Sequence, residues 1–310
     1  MIGRYSELNN LKEVENLEVG MDFRKPEYRR EVFKRLYEFN LKYNAHAGFV
    51  YGAFPYLNEK LKLDEEQKLW LGFINGCSQN IVTSWIIFQE FPDLKNLDTN
   101  KLEDWWNKNY IKFIVEKLWA FIRDKLLSFG RLSTFSYSEF LRLQGVNVDC
   151  NELFLDDISG SRSHRNGLCK VLGRDDLDWW KTKVTYSKEI ISWLNKEAEI
   201  LFKEMQDRLE HKDLSFYTFE TALCNYKSMH RPDRRYPNVY NDMFYNRVKY
   251  AQSMWKDKYD FDLFWQMRKD LLPKELRLED NSKDFGLGQV IMMDKEWDCF
   301  KNDYNDYVYN

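Results

Sequence analysis

The sequence has few of the residues that interrupt helices or build covalent and metal frameworks. Only 6 Pro and 13 Gly occur among 310 residues, so long segments run without a turn signal. The cysteines are odd in number, scattered, and form no CxxC pair or Cys/His cluster: Cys77, Cys150, Cys169, Cys224 and Cys299. This distribution argues against a disulfide framework and a zinc site. We therefore expect no metal ligands, and free thiols in a reducing cytoplasm.

The chain also lacks a strong excess of either charge and any long apolar run. Its net charge is −3, whereas proteins that coat nucleic acid are usually basic overall. Any contact with nucleic acid would therefore come from local basic patches. No segment resembles a membrane span or a secretory leader, so we expect a cytoplasmic protein that does not contact membranes. A charged fraction of 31% and an aromatic fraction of 17% indicate a folded globular chain.

Apolar residues recur at helical spacing along most of the sequence. The pattern predicts helices over 29–43, 65–74, 81–91, 103–129, 187–209, 216–229, 238–256 and 261–271. The one candidate strand is "GQVIMM" at 288–293. We therefore predict an all-α protein, with residues 1–310 forming one compact multi-helix catalytic domain. Two helical lobes around a cleft are the alternative, with a lobe boundary near 145–180.

One polar stretch, "DDISGSRSHRNGLCKVLGR" at 156–174, suits an anion. Small residues allow backbone N–H groups to converge on a phosphate, and arginines add charge and fork geometry. The cations are Arg162, Arg165, Lys170 and Arg174, and His164 could move a proton. The equally weighted alternative is a solvated loop in which nearby acids balance these cations: Asp156, Asp157, Asp175 and Asp176.

A second stretch, 225–250, mixes six Lys/Arg with six aromatic residues and only two Asp. Basic residues hold phosphates while aromatic rings stack on unpaired bases, so this mixture suits nucleic acid. Its candidates are Tyr226, Lys227, Arg231, Arg234, Arg235 and Tyr236. The alternative, which we weigh more heavily, is a corner between helices with core tyrosines, where Asp233 and Asp242 pair with arginines.

A third stretch, "NGCSQNIVTSW", concentrates uncharged amides between two apolar helices. Asn75, Gln79 and Asn80 could read the edge of a base through paired hydrogen bonds. The favoured alternative is that they cap the two helix ends. His46 could line the same cavity, but a lone histidine is more often structural.

With these residues laid out, the chain resembles the phage amino acid:DNA transferases, also described as α-glutamyl/putrescinyl thymine pyrophosphorylases. The resemblance runs in order through "RREVFKRLYEFNLKY", "LWLGFINGCSQNIVTSW", "FGRLSTFSYSEFLRLQG", "SGSRSHRNGLCKVLGRDDLDWW" and "ETALCNYKSMHRPDRRYPNVYNDM". It covers nearly the whole chain, and "SRSHRNG" and "RRYPNVYNDM" are its most specific blocks.

The resemblance implies hypermodification of a DNA base in the cytoplasm of an infected bacterium. A kinase pyrophosphorylates 5-hydroxymethyluracil in double-stranded DNA, and an amino acid or polyamine then displaces pyrophosphate at the 5-methylene carbon. The kinase is thus a candidate partner, and Mg²⁺ on the pyrophosphate a candidate cofactor. The alternatives are a catalytically silent helical DNA-binding or scaffold subunit and a base-flipping glycosylase or lyase.

This chemistry divides the candidate residues into three groups. The catalytic group is Arg162, Arg165, His164, Asn166, Asp157 and Asp242, with His164 or an aspartate as general base. The group that binds pyrophosphate or DNA is Lys227, Arg231, Arg234, Arg235, Tyr236 and Arg174. The group that binds the flipped base is Asn75, Gln79, Asn80 and Tyr226. We further expect Arg165→Ala to abolish transfer while leaving the fold intact.

Overall fold

A computed structural model describes residues 26–44, 49–92, 131–148, 150–158, 160–229, 239–274 and 277. This part of the chain contains eleven α-helices and one 3-10 turn (Asp175–Leu177), and it contains no strand. The helices are α1 (Pro26–Lys42), α2 (Val50–Leu61), α3 (Glu65–Ser78), α4 (Ile81–Glu90), α5 (Arg131–Leu143), α6 (Arg162–Val171), α7 (Trp179–Thr182), α8 (Lys188–Arg208), α9 (Phe216–Met229), α10 (Val239–Trp255) and α11 (Asp262–Leu271). The prediction of an all-α fold is confirmed.

Most of the helix predictions are confirmed to within a few residues. The stretches 187–209, 216–229, 238–256 and 261–271 correspond to α8, α9, α10 and α11. Their ends follow capping chemistry: the Ser187 hydroxyl accepts a hydrogen bond from the Ile190 amide (3.3 Å), which starts α8. The predicted helix over 103–129 and the predicted strand at 288–293 lie outside the described residues.

The chain divides into two compact units. The first comprises residues 1–47, 151–246 and 268–310, and the second comprises 48–150 and 247–267. The chain passes from the first unit to the second within α10, and from the second back to the first within α11. The single catalytic domain that the sequence suggested stays a prediction. In the described part of the chain, no helix has the length and hydrophobicity needed to span a membrane.

In the first unit, the core is built around α6, which packs most extensively on α9 and also on α1 and α8. Its apolar side chains include Phe33 and Tyr37 of α1, Leu201 of α8 and Phe219 of α9, all of them buried. Phe33 meets Phe219 edge to face, with ring centroids 5.8 Å apart. The helix α6, which is rich in polar residues, therefore packs against the buried apolar side chains of α1, α8 and α9. Its polar groups need hydrogen-bond partners there.

In the second unit, α3 packs on α4 and α5, and α2 packs on α5. Asp64 and Gln67 form a capping box that starts α3: the Gln67 amide donates to the Asp64 carboxylate (2.8 Å), and the Asp64 amide donates to the Gln67 side chain (3.2 Å). The indole of Trp85 donates to the backbone carbonyl of Asp260 (2.7 Å), which ties α4 to the segment before α11.

Candidate functional site

The stretch predicted as a polar loop folds largely as a buried helix. Residues Arg162–Val171 form α6, and from His164 onward every side chain of this helix is buried. The interpretation as a solvated loop is therefore wrong for 162–171. The burial of this helix is hard to predict because α6 is short and rich in polar residues. The helices that bury it are distant in sequence.

Arg165 lies at the centre of this arrangement and has no solvent exposure. Its guanidinium donates to the backbone carbonyls of Leu155 (3.0 Å), Asp157 (3.3 Å) and Ile158 (2.8 Å). The guanidinium also stacks over the Tyr186 ring at 4.3 Å. Arg165 thus fixes the segment before α6 to the helix itself. The expectation that it faces an anion is wrong for this structure, because its donors point at backbone carbonyls.

His164 is 1% exposed and held at both ring nitrogens. Nδ1 lies 3.0 Å from a carboxylate oxygen of Glu220, and Nε2 lies 2.9 Å from the backbone carbonyl of Leu153. Both neighbours are acceptors, so the ring either donates from both nitrogens or shares one proton with Glu220. In this position His164 orients α6 and α9 and does not face solvent.

Cys224 lies on α9 one turn after Glu220 and completes a group of three. The potential ligand atoms of His164, Glu220 and Cys224 all lie within 4.8 Å of one another. Nitrogen, oxygen and sulfur ligands of this kind are those that zinc accepts. No metal-ligand spacing along the sequence reveals this group, because His164 lies on α6 and the other two residues lie on α9. Within the described residues, this is the group that could hold a metal ion.

The exposed end of α6 carries the cations that could meet an anion. Lys227 of α9 donates to the Ser163 hydroxyl (2.8 Å) at the first turn of α6, and Arg162 precedes that serine. Both cations are half-buried. A helix N-terminus carries partial positive charge from its free N–H groups. Arg162, Ser163 and Lys227 therefore make a positively charged corner at the start of α6.

The other cations of the stretch are paired with carboxylates. Lys170 is 2.9 Å from the buried carboxylate of Asp178. Asp175 is bound by both terminal nitrogens of Arg29. Burial opposes ionisation of Asp175, but the hydrogen bonds from Arg29 together with the nearby positive charges of Arg29, Lys170 and Lys181 outweigh it and lower the pKa of the carboxyl. Lys170 is therefore part of a buried ionic network and not of an open anion site.

Arg174, expected to bind pyrophosphate or DNA, forms a two-point ion pair on the surface. Its guanidinium donates to both carboxylate oxygens of Asp176, each at 2.7 Å. The hydrogen bond from Arg174 lowers the pKa of the Asp176 carboxyl. The loop alternative, with acids balancing arginines, describes this end of the stretch correctly.

Asn166 and Gly167 hold α6 against its neighbours. The Asn166 side-chain oxygen accepts a hydrogen bond from the Trp179 amide (3.2 Å), which attaches α7 to α6. A Cβ placed on Gly167 would lie 2.0 Å from the backbone oxygen of Leu223 in α9. Only glycine allows the two helices to approach this closely.

The candidate general bases differ in accessibility. Asp156 is exposed, whereas Asp157 is half-buried and accepts a hydrogen bond from the Gly160 amide (3.0 Å). Asp156 and Ile158 border an open groove of about 640 Å³ along the N-terminal half of α8, which also presents Lys188, Lys196 and Glu199. The side chain of Asp242 lies outside the described residues, although its backbone belongs to α10.

The three amides of the second unit serve the break between α3 and α4. Asn80 caps α4, since its side chain accepts from the Val82 amide (3.1 Å), and Gln79 ends α3 in a left-handed conformation. Buried Asn75 accepts a hydrogen bond from the Ser84 hydroxyl (2.9 Å). These contacts agree with the capping alternative.

Tyr226, another candidate for base binding, is fully buried and packs edge to face on Phe33, with centroids 5.6 Å apart. Burial raises the pKa of its hydroxyl well above the usual value. It is a core residue, as the helix-corner alternative proposed. His46, Arg231, Arg234, Arg235 and Tyr236 lie outside the described residues.

The sequence alone did not point to Glu220 or to the aromatic pair Trp179 and Trp180. Glu220, Cys224 and Lys227 recur at positions i, i+4 and i+7 of a predicted helix, so their shared face was visible in the sequence. That this face meets α6 was not visible, because no spacing in the sequence records which helices pack together.

Comparison with known proteins points to the part of the chain that contains α6 and α9. Residues 114–235 match the sequence model of the amino acid:DNA transferase family. The resemblance to the amino acid:DNA transferases is confirmed. A protein of Salmonella phage ViI, named serinyltransferase, is 23% identical over 326 residues, which cover 85% of this chain and 78% of that protein. No solved structure matches the chain.

The range matched by the amino acid:DNA transferase family contains α5 of the second unit and α6, α7, α8 and α9 of the first. The positively charged corner and the His164–Glu220 pair therefore lie inside it. Asn75, Gln79 and Asn80 lie outside it and already have capping or interior contacts. The α6–α9 pair is consequently the strongest candidate site in the described part of the chain.

Proposed function

We propose that this protein transfers an amino acid, through its amino group, onto a modified thymine-type base in phage DNA. The substrate is double-stranded DNA carrying pyrophosphorylated 5-hydroxymethyluracil, and pyrophosphate leaves. The observation that carries the proposal is that the range of the amino acid:DNA transferase match includes the whole α6–α9 pair. The name of the phage relative makes serine the first amino acid to test.

The proposed step is a substitution at the 5-methylene carbon. The nitrogen lone pair of the neutral amine forms the new C–N bond, and the C–O bond to pyrophosphate breaks. The electron pair of that bond leaves with pyrophosphate, and the nitrogen gives up one proton to a base. No redox partner is needed. The protein's contribution is to hold the reactants in line and to stabilise the departing negative charge.

The positively charged corner is the proposed pyrophosphate site. Arg162 and Lys227 lie beside the first turn of α6, where free N–H groups favour an anion. The chain continues from α9 into Arg231, Arg234 and Arg235, which we propose as further contacts to pyrophosphate or DNA. Mg²⁺ bound to the pyrophosphate would neutralise part of the same negative charge.

The buried residues of α6 have a different proposed role. His164, Arg165 and Asn166 are positioning residues, because their polar atoms bond to Glu220, to backbone carbonyls and to the Trp179 amide. They hold Arg162 and Ser163 in place. Asp157 and Asp242 then remain the candidates for the base that receives the amine proton.

A nucleoside assay tests the proposal. The protein is incubated with DNA bearing pyrophosphorylated 5-hydroxymethyluracil, prepared with a hydroxymethyluracil DNA kinase, and with a panel of amines that includes serine. After digestion, mass spectrometry should find an amine adduct. Arg162→Ala/Lys227→Ala should lower the rate at least about 100-fold, as expected when charge stabilisation of a leaving group is lost. Lys203→Ala/Lys256→Ala, which removes two exposed lysines that form no ion pair with any described residue, is the matched control and should retain activity.

Other products would point to other functions. No adduct with any amine would overturn the transferase proposal. An abasic site would favour a glycosylase or lyase instead, and DNA binding without any product would favour a silent scaffold subunit.

A further inference from the structure

A patch of two tryptophans and three cations lies on the surface beside α6. This tryptophan patch comprises Arg162, Trp179, Trp180, Lys181 and Lys183. The Arg162 guanidinium lies 4.2 Å from the centre of the Trp179 ring, and the Lys183 ammonium lies 4.0 Å from the same centre. The two rings meet edge to face, with centroids 5.3 Å apart.

The patch is rigidly attached to the first unit. Asp178 caps α7 by accepting from the Trp180 amide (3.0 Å), and the same carboxylate binds buried Lys170. The Asn166 side chain accepts from the Trp179 amide, so α7 is also bound to α6. The rings are thus presented by a segment anchored to the core at two points, which limits the entropy lost when a ligand orders them.

The charge of the patch is not neutralised by its neighbours. Nearby carboxylates pair with other cations: Asp175 with Arg29, Asp176 with Arg174, and Asp178 with Lys170. Arg162, Lys181 and Lys183 form no ion pair with any described residue. The three remaining positive charges are therefore available to a negatively charged partner.

The exposed rings indicate what kind of negative partner this is. Trp180 is 50% exposed although burial would stabilise so large an apolar side chain. Cations beside an exposed aromatic face match a nucleic acid strand, in which phosphates alternate with flat bases. A protein partner with an acidic surface would satisfy the lysines but would not require the exposed indole.

We infer that the tryptophan patch binds the DNA substrate: Arg162, Lys181 and Lys183 contact phosphates, and the Trp180 ring stacks on an unpaired base. This inference rests on the proposed function, since it assumes that DNA is the substrate. The inference goes beyond the proposed function by stating where the DNA strand lies on the protein and how an unpaired base is held. In the proposed arrangement Arg162 links the patch to the positively charged corner.

A binding experiment tests the inference without requiring catalysis. Fluorescence anisotropy measures the affinity of the full chain for an unmodified labelled duplex that contains one unpaired thymine. Trp180→Ala/Lys183→Glu should weaken binding about tenfold or more, and should reduce the salt dependence. Trp180→Phe, which keeps a ring, should bind within a few-fold of the wild type.

The control is an exposed tryptophan–lysine pair elsewhere. Trp255→Ala/Lys256→Glu removes the same ring and charge from the exposed end of α10 and should leave affinity unchanged. Equal affinity for wild type and Trp180→Ala/Lys183→Glu, or equal losses in both double variants, would overturn the inference. Adduct formation by wild type would then still support the proposed function. If the patch binds DNA but no adduct forms with any amine, the proposed transferase function is overturned, whereas the inference that the patch binds DNA still stands.

Discussion

At the residue scale, the central fact is that a buried guanidinium is expensive unless each donor has an acceptor. Arg165 reduces that cost, because its two terminal nitrogens donate to three backbone carbonyls and its guanidinium stacks on Tyr186. Those carbonyls belong to an irregular segment, and of the three only that of Asp157 also has a backbone donor, the Ser161 amide (2.9 Å). Arg165 therefore substitutes for secondary structure in residues 155–158, and its loss would affect the fold before it affects chemistry.

Arg165→Ala should consequently destabilise the first unit. Removing the guanidinium leaves the Leu155 and Ile158 carbonyls without a donor, while the Asp157 carbonyl keeps the Ser161 amide, which should cost about 2 kcal/mol or more of the free energy of unfolding. Urea denaturation followed by circular dichroism measures this. Arg174→Ala, which breaks only a surface ion pair with Asp176, is the control and should cost less than about 1 kcal/mol. A stable Arg165→Ala variant that has lost only transfer activity would contradict this account and restore the role expected from the sequence.

At the element scale, the site depends on how closely α6 approaches α9. Gly167 faces the Leu223 backbone, and the His164–Glu220 and Lys227–Ser163 contacts lie on the same pair of helices. Ser163 and Lys227 can reach each other only because the helix backbones nearly touch. Helix packing at this glycine thus controls the geometry of the positively charged corner.

Gly167→Ala should separate the two helices. Its Cβ would lie 2.0 Å from a backbone oxygen that cannot rotate away, so the free energy of unfolding should fall by about 3 kcal/mol and transfer activity should fall with it. Gly72→Ala in α3 is the matched control, because its Cβ would make ordinary contact with Gln144 at 3.6 Å. That control should be neutral or more stable by up to about 1 kcal/mol. Equal stabilities of the two variants would show that the α6–α9 contact is not tight.

At the element scale, the sequence predicts some helices and their roles correctly and fails for others. Spacing predicts α8 and α9 because each has an apolar stripe that recurs every three or four residues. It fails for α6, whose polar residues are satisfied by Glu220, Leu153 and Leu155 at distances along the chain that no local pattern encodes. Arg165 and Lys170 were chosen as cations for an anion, whereas the structure uses them internally. Arg162 and Lys227, from the same stretches, lie at the surface end of the helix pair.

At the scale of the whole molecule, the proposed function depends on bringing an anionic leaving group, a DNA base and an amine together. The family match spans the helices that carry the positively charged corner and the tryptophan patch. A net charge of −3 is compatible with DNA binding because positive charge is concentrated where carboxylates are already paired. The proposed account therefore places the DNA strand and the pyrophosphate on one side of the α6–α9 pair.

The central claim is that an amine replaces pyrophosphate at the methylene carbon. The most direct measurement uses substrate DNA with ¹⁸O at the oxygen bridging the methylene carbon and phosphorus, with serine as the amine. Mass spectrometry then follows the label in pyrophosphate and in the digested nucleosides. The account predicts that all ¹⁸O leaves in pyrophosphate, one equivalent for each serine adduct formed. Label retained on the nucleoside as a hydroxymethyl group, with unlabelled pyrophosphate released and no adduct, would contradict it.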